Sequence, residues 1–165
     1  MGTRISIPEA ERLTRQLKRA GKAVVLANGC FDLLHVGHIR YLNAAKRLGD
    51  VLFVGVNSDR SVRRLKGAGR PLMDEDERAE IISALGPVDY VVVFDGETAD
   101  QLIEQLRPDV HAKGTDYTPD SVPEQSTVSS VGGKVVIAGD PKAHSARDLI
   151  ATIVERFGKQ RCEPS

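Results

Sequence analysis

The stretch Ala23-Val24-Val25-Leu26-Ala27-Asn28-Gly29-Cys30-Phe31-Asp32-Leu33-Leu34-His35-Val36-Gly37-His38 decides the fold. Its first five residues make a short apolar run of the length and composition of a buried strand. The run stops at Asn28-Gly29, and a helical pattern takes over from Val36 to Leu48, closed by Gly49-Asp50. Strand, glycine-bearing turn and helix in that order open a βαβ unit.

Working outward, the same alternation continues. Upstream, Ser6 and Glu9 with Pro8 between them mark a capped helix start, and Leu13 and Leu17 lie one turn apart before Gly21 ends the helix. Downstream, residues 51–56, 90–93, 109–112 and 135–137 read as further strands. Helices are expected from an Asp74 cap through Leu85, over 97–106, and from Ser145 to Arg156. Residues 60–70 read as a polar, basic segment, and 114–133 as a connection long enough to suggest a functional loop. The pattern predicts an α/β fold, a Rossmann-like three-layer sandwich around a five-stranded parallel sheet. Residues 1–21 are expected to form an N-terminal helical extension, 22–158 the main domain and 159–165 a flexible tail.

Composition excludes several classes. Lys plus Arg and Asp plus Glu are both 23, so the formal charge is zero, and the basic excess of a nucleic-acid binder is missing. Two cysteines, Cys30 and Cys162, are too few for a disulfide scaffold and point to a reducing, cytoplasmic setting. No apolar run approaches a membrane span. Met1-Gly2-Thr3-Arg4-Ile5-Ser6 fits a loose acylation pattern that nothing else in the chain supports.

Ligands of open parallel sheets bind beyond the carboxyl ends of the strands, where strand order reverses. Here the first strand runs into the loop at Gly29, which permits close approach to the backbone, and the next helix presents unpaired N–H groups and a positive dipole. His35 and His38, three apart, share a face of its first turn, and Gly37 leaves room for a phosphate between them. On an arbitrary helix two such histidines would more often be ordinary surface or core residues. Cys30, Asp32, His35 and His38 are also zinc-binding types, but no second ligand pair lies nearby and the glycine-bearing context favours an anion. No metal site is expected in the chain itself.

The string from Asn28 to His38 resembles the signature of the cytidylyltransferase-like superfamily, which shares a His-x-Gly-His core. Further matches are Val56-Asn57-Ser58-Asp59, Arg64-Leu65-Lys66-Gly67, Arg70-Pro71, Glu77-Arg78, Lys113-Gly114-Thr115-Asp116-Tyr117, Val122-Pro123-Glu124 and Gly132-Gly133. They are similar to the branch that makes ADP-heptose, a lipopolysaccharide precursor, over roughly residues 22–153. The resemblance implies a stand-alone nucleotidyltransferase that moves AMP from ATP to a sugar 1-phosphate, D-glycero-D-manno-heptose 1-phosphate, with Mg2+ on the ATP. It also suggests a homodimer. Two other readings stay open: a CTP-dependent enzyme for glycerol 3-phosphate or phosphoethanolamine, and a nucleotide-binding module without turnover.

By the same resemblance His35, His38 and Lys66 are the catalytic candidates, the histidines on the triphosphate and Lys66, in a glycine-containing loop, on the β- and γ-phosphates. Asn28, Gly29, Cys30, Phe31 and Gly37 would shape the phosphate cradle, and Lys113, Gly114, Asp116 and Ser145 the rest of the nucleotide site. Arg78 and Arg147 are secondary candidates, Arg147 because Ala146 stands where the family has a second hydroxyl after Ser145. Asp32 is expected to brace the motif loop rather than to react.

Overall fold

In the computed structural model, which describes residues 1–141 and 145–158, six strands form one parallel sheet. The strands are β1 (Thr3–Arg4), β2 (Val24–Gly29), β3 (Val51–Asn57), β4 (Tyr90–Phe94), β5 (Val110–Lys113) and β6 (Lys134–Ile137), in the order β1-β4-β3-β2-β5-β6. The helices are α1 (Ile7–Arg19), α2 (Val36–Lys46), α3 (Asp59–Lys66), α4 (Glu75–Ser83), α5 (Asp100–Leu106), α6 (Gln125–Ser130) and α7 (Ala146–Phe157). The expected tail, Cys162 and His144 lie outside the described residues.

The central strands read as unbroken apolar runs because both of their faces are covered. Along β2, Val25 and Ala27 point to one face, where they pack with Leu42 and Ala45 of α2 and Ala79 and Ile82 of α4. Val24 and Leu26 point to the other, against Ala10 of α1, Leu102, Ile103 and Leu106 of α5, and Val128 of α6. The result is the three-layer arrangement expected, with six strands where five were expected. The extra strand is β1, whose Thr3 and Arg4 pair with Tyr90 and Val91. Two residues carry no periodicity, so hydrophobic patterning cannot reveal them. Gly2 belongs to this edge: its N–H donates to the Ser83 carbonyl at 2.7 Å, and a Cβ on it would stand 2.7 Å from the Val88 oxygen. Close packing therefore explains that glycine without any acyl group.

Two helices also fall where the sequence suggested loops. The basic segment contains α3, capped by Ser58, and the long 114–133 connection contains a single 3-10 turn (Pro119–Ser121) and α6. Each presents few apolar residues, and Gln-Ser-Thr-Val-Ser-Ser has weak intrinsic helix preference. By contrast the caps read from sequence are made. Ser6 and Glu9 exchange hydrogen bonds around the start of α1, and Asp74 accepts from Asp76 and Glu77 N–H at 3.0 and 2.9 Å.

Strand order reverses between β2 and β5, which pair through Ala27 and Ala112. Beneath the site end of the sheet, Gly55 of β3 is a close approach: a Cβ there would meet Leu102 at 2.8 Å and Phe94 at 3.1 Å. Gly55→Val should cost about 2 kcal/mol of unfolding free energy through overpacking, measured by urea denaturation; an unchanged midpoint would contradict this packing.

Candidate functional site

The carboxyl ends of β2, β3 and β5 open into a cavity of about 820 Å³. Every site residue expected from sequence lines it except Arg78. At its centre lies the turn after β2. Phe31 adopts a left-handed backbone (φ 48°), which swings its ring back over Gly29, 3.1 Å from where a Cβ of residue 29 would stand. Gly29 thus leaves room for the Phe31 ring, whose edge also meets the His38 ring at 5.3 Å between centroids. Phe31 is a buried wedge under the histidines, and its ring contributes apolar support to the cradle rather than polar contacts.

The two imidazoles stack, with centroids 3.9 Å apart and planes 26° from parallel. The His35 backbone N–H donates to His38 Nδ1 at 3.4 Å, so the neutral His38 ring carries its hydrogen on Nε2 and can donate from there. Burial first, and the neighbouring His35 second, lower the His38 pKa from 6.5 to about 4. At neutral pH this ring is an uncharged donor at the head of an eleven-residue helix, beside first-turn N–H groups that lack intrahelical partners. Donors arranged in this way can hold the oxygens of an anion such as phosphate.

Asp32, as expected, is a brace. Nearly fully buried, it accepts from Arg70 Nε and from the backbone N–H groups of Leu72 and Met73 at 2.6 and 3.2 Å, so the motif turn and the 70–73 segment hold one another. Arg78 corrects an expectation. Its guanidinium is fully buried below the turn, donating to the carbonyls of Met73 (3.0 Å), Cys30 (2.7 Å) and Asn57 (2.7 Å) and to Asp59 Oδ1 (2.6 Å). These bonds turn it away from the cavity, so it is a strut under the turn and not part of a phosphate cluster. The Cys30 carbonyl is committed to that strut, and its thiol is half-buried 3.9 Å from Asn57 Oδ1, with a pKa pushed up by burial.

Lys66 is the last residue of α3 rather than a loop residue, and Gly67 (φ 89°) ends the helix just beyond it. The front of α3 is fastened by Asp95, which accepts from Ser58 Oγ (2.8 Å), Ser61 Oγ (3.1 Å), Arg64 (3.1 Å) and Arg60. The Arg60 bond, then those of the serines, hold the Asp95 carboxyl well below the usual range. Of the cations around the cavity, Arg40 pairs with Asp140, Arg70 with Asp32 and Lys113 with Glu124. Lys66 and Arg147 pair with no described carboxylate, which leaves their charge available to a ligand. Ser145 caps α7, its Oγ accepting from Asp148 N–H at 3.1 Å and donating to Asp148 Oδ2 at 2.6 Å. Gly114 and the exposed Asp116 lie on the rim.

On the β5 side, Lys113 Nζ donates to Asn28 Oδ1 at 3.2 Å and Glu124 Oε1 at 3.0 Å, and lies 5.3 Å from the centre of the Tyr117 ring. Burial raises the Glu124 pKa, but the Lys113 charge and the Ala99 N–H outweigh it and keep the carboxyl below its ordinary value. Behind this pair, burial and Lys113 lower the His111 pKa to about 4. His111 and Tyr41 escaped the sequence reading, and Asn57 and Glu124 entered it only as parts of matched strings, without a role. The signal for Glu124 was a carboxylate in the segment facing Lys113, and for Asn57 its place at the end of the strand beside β2.

Among the described residues no group of three or more His, Cys, Asp and Glu stands close enough to hold a metal ion, and no helix is long and apolar enough to cross a membrane. A family model described as cytidylyltransferase-like matches residues 26–155. The bifunctional protein HldE of Syntrophotalea carbinolica is 53% identical over 140 residues, 85% of this chain and 29% of that one. Its counterpart from Geobacter metallireducens is 52% identical over 143 residues, 87% of this chain and 29% of that one. The chain thus spans less than a third of the length of these curated relatives. A lipopolysaccharide core biosynthesis protein of Thermoplasma volcanium superposes with a TM-score of 0.65 at 33% identity, over 74% of this chain and all of that one. Pantothenate synthetase of Thermus thermophilus shares the fold alone, with a TM-score of 0.64 at 16% identity over 90% of this chain and 67% of that one.

His38 and His111 make stability depend on pH in one direction. Between about 6.5 and about 4 the unfolded chain binds protons that both buried rings refuse, so the unfolding free energy falls as pH falls through that window. The melting temperature should drop from pH 7 to pH 4.5, and His111→Asn should flatten part of that drop; equal pH slopes for the two proteins would contradict the neutral burial of His111.

Proposed function

Because the chain belongs to the cytidylyltransferase-like family of nucleotidyltransferases, we propose that it is a cytoplasmic adenylyltransferase that forms ADP-heptose from ATP and D-glycero-D-manno-heptose 1-phosphate. The observation that carries this reading is the stacked His35–His38 pair at the head of α2, opening into a cavity large enough for a nucleotide and a sugar phosphate. The roughly 50% identity to HldE proteins supports the choice of product.

In this reaction an oxygen of the sugar 1-phosphate attacks the α-phosphorus of ATP and pyrophosphate departs. The nucleophile is already an anion, so the cavity needs no base to create it. What it must do is bring two polyanions together and stabilise charge that builds on the phosphoryl oxygens. His38 Nε2 and the first-turn N–H groups of α2 are assigned to the α-phosphate, with His35 beside them. Lys66 and Arg147, the two lining cations without a described carboxylate partner, take the departing pyrophosphate. Lys113, Gly114 and Asp116 border the nucleotide or sugar on the β5 side, and Ser145 sits at the rim. Magnesium bound with ATP would offset charge on the phosphates. It would be held chiefly by the triphosphate.

Pyrophosphate release with ATP and the heptose 1-phosphate tests the reading directly, with CTP and glycerol 3-phosphate as the comparison. Faster release from CTP would refute the assignment. His38→Ala should lower kcat about 100-fold while leaving the melting temperature near that of the parent; near-normal turnover would remove the central role given to this ring. Lys66→Ala should reduce kcat/KM for ATP about tenfold, and an unaltered value would take Lys66 out of the pyrophosphate site.

A further inference from the structure

His111 sits on β5, fully buried, with no hydrogen-bond partner on either ring nitrogen among the described residues. Glu124 Oε2, equally without one, lies 3.9 Å from its Nε2. A buried donor and a buried acceptor left unjoined at that separation call for an explanation, since native interiors satisfy nearly all such groups. The other carboxylate oxygen, Oε1, accepts from Lys113 and from the Ala99 N–H, both at 3.0 Å.

Lys113 is already committed. Its ammonium bridges Asn28 and Glu124 and lies over the Tyr117 ring. It cannot bond a phosphate without giving up part of that arrangement, and Glu124 would then be a buried carboxylate stripped of its cation. The groups facing His111 are Lys113 from its own strand, Glu124 from the segment before α6 and Asp100 from α5. Its partners across the sheet, Leu26 and Val135, are apolar. Remove Lys113, and every remaining charge near the ring is negative.

We propose that His111 is a standby counter-ion: when Lys113 turns from Glu124 to a nucleotide phosphate, His111 takes one proton from solvent and pairs with the abandoned carboxylate. The idea rests on the nucleotide site described above. It makes His111 and Glu124 positioning residues, which touch no substrate but set how far Lys113 can reach. The small gap between Glu124 Oε2 and His111 Nε2 closes to a hydrogen bond with a shift of under an ångström or so. In the free protein burial first, and the Lys113 charge second, keep a proton off the ring.

Nitrogen NMR of the histidine rings at pH 6 tests it, using the full chain with and without saturating ATP and magnesium. The His111 ring should be neutral without ATP and an imidazolium with it, an upward pKa shift of about 3 units from its value near 4. Lys113→Met should charge His111 in the absence of any ligand, and Glu124→Gln should keep it neutral in both states. If ATP moves the His35 and His38 signals while His111 stays neutral, the counter-ion role is overturned and the nucleotide site stands. If ATP moves no ring at all, the nucleotide reading falls and takes this one with it. Should Lys113→Met fail to fold, the Glu124→Gln comparison decides alone: a His111 that still becomes charged there refutes the pairing.

Discussion

Arg78 reaches from α4 beneath the turn that follows β2 and holds the carbonyls of Cys30 and Asn57, one from each of two neighbouring strand ends. The same guanidinium bonds Asp59, the first residue of α3. From the other side Asp32 ties the turn to the 70–73 segment. Two buried charges, each bonded to several partners, thus fix the left-handed Phe31 and, through its ring, the setting of His38. Burying such charges is costly unless every donor and acceptor finds a mate. Here the gain is placement, because the turn, the helix carrying Lys66 and the helix carrying Arg78 itself are all referred to one planar group.

This arrangement also reconciles a neutral chain with a proposed polyanionic ligand. Arg40, Arg70 and Lys113 bring positive charge to the cavity, yet each is matched by a carboxylate in the free protein. Matched pairs keep the net charge near zero and suppress nonspecific attraction to polyanions, while Lys66 and Arg147 keep an attractive field at the mouth. The pairs further in can rearrange only when a ligand offers something better than the carboxylate they hold.

Much of this was legible in the residues. The five longer strands are apolar runs because both faces of the sheet are covered, and Ser6, Asp74 and Ser145 announce their helices by side chains that bond the first free N–H groups. The His-x-Gly-His string marked the cavity, since a short motif at a strand end fixes its own surroundings. What stayed hidden depends on contacts between distant segments. β1 is an edge pair of two residues, α3 shows too few apolar positions for a period to emerge, and α6 is built of Ser and Thr. Arg78 looked like a phosphate ligand because its charge is visible and its burial is not. His111 and Glu124 are 13 residues apart in sequence, and only the return of the chain after β5 to bond Lys113 and Ala99 turns them into neighbours behind Lys113.

The fastening of α3 is lopsided. Asp95 grips Ser58, Arg60, Ser61 and Arg64, all ahead of Lys66, and Ser61 and Val62 are the residues that enter the interior. Beyond Lys66 come Gly67 and Gly69, both with positive φ and with empty space around a would-be side chain. The helix is held as far as Arg64 in its last turn, and Lys66 lies just beyond that tie. The amine proposed for the nucleotide thus sits just past the last tie of its helix, beside two glycines that leave it room to turn.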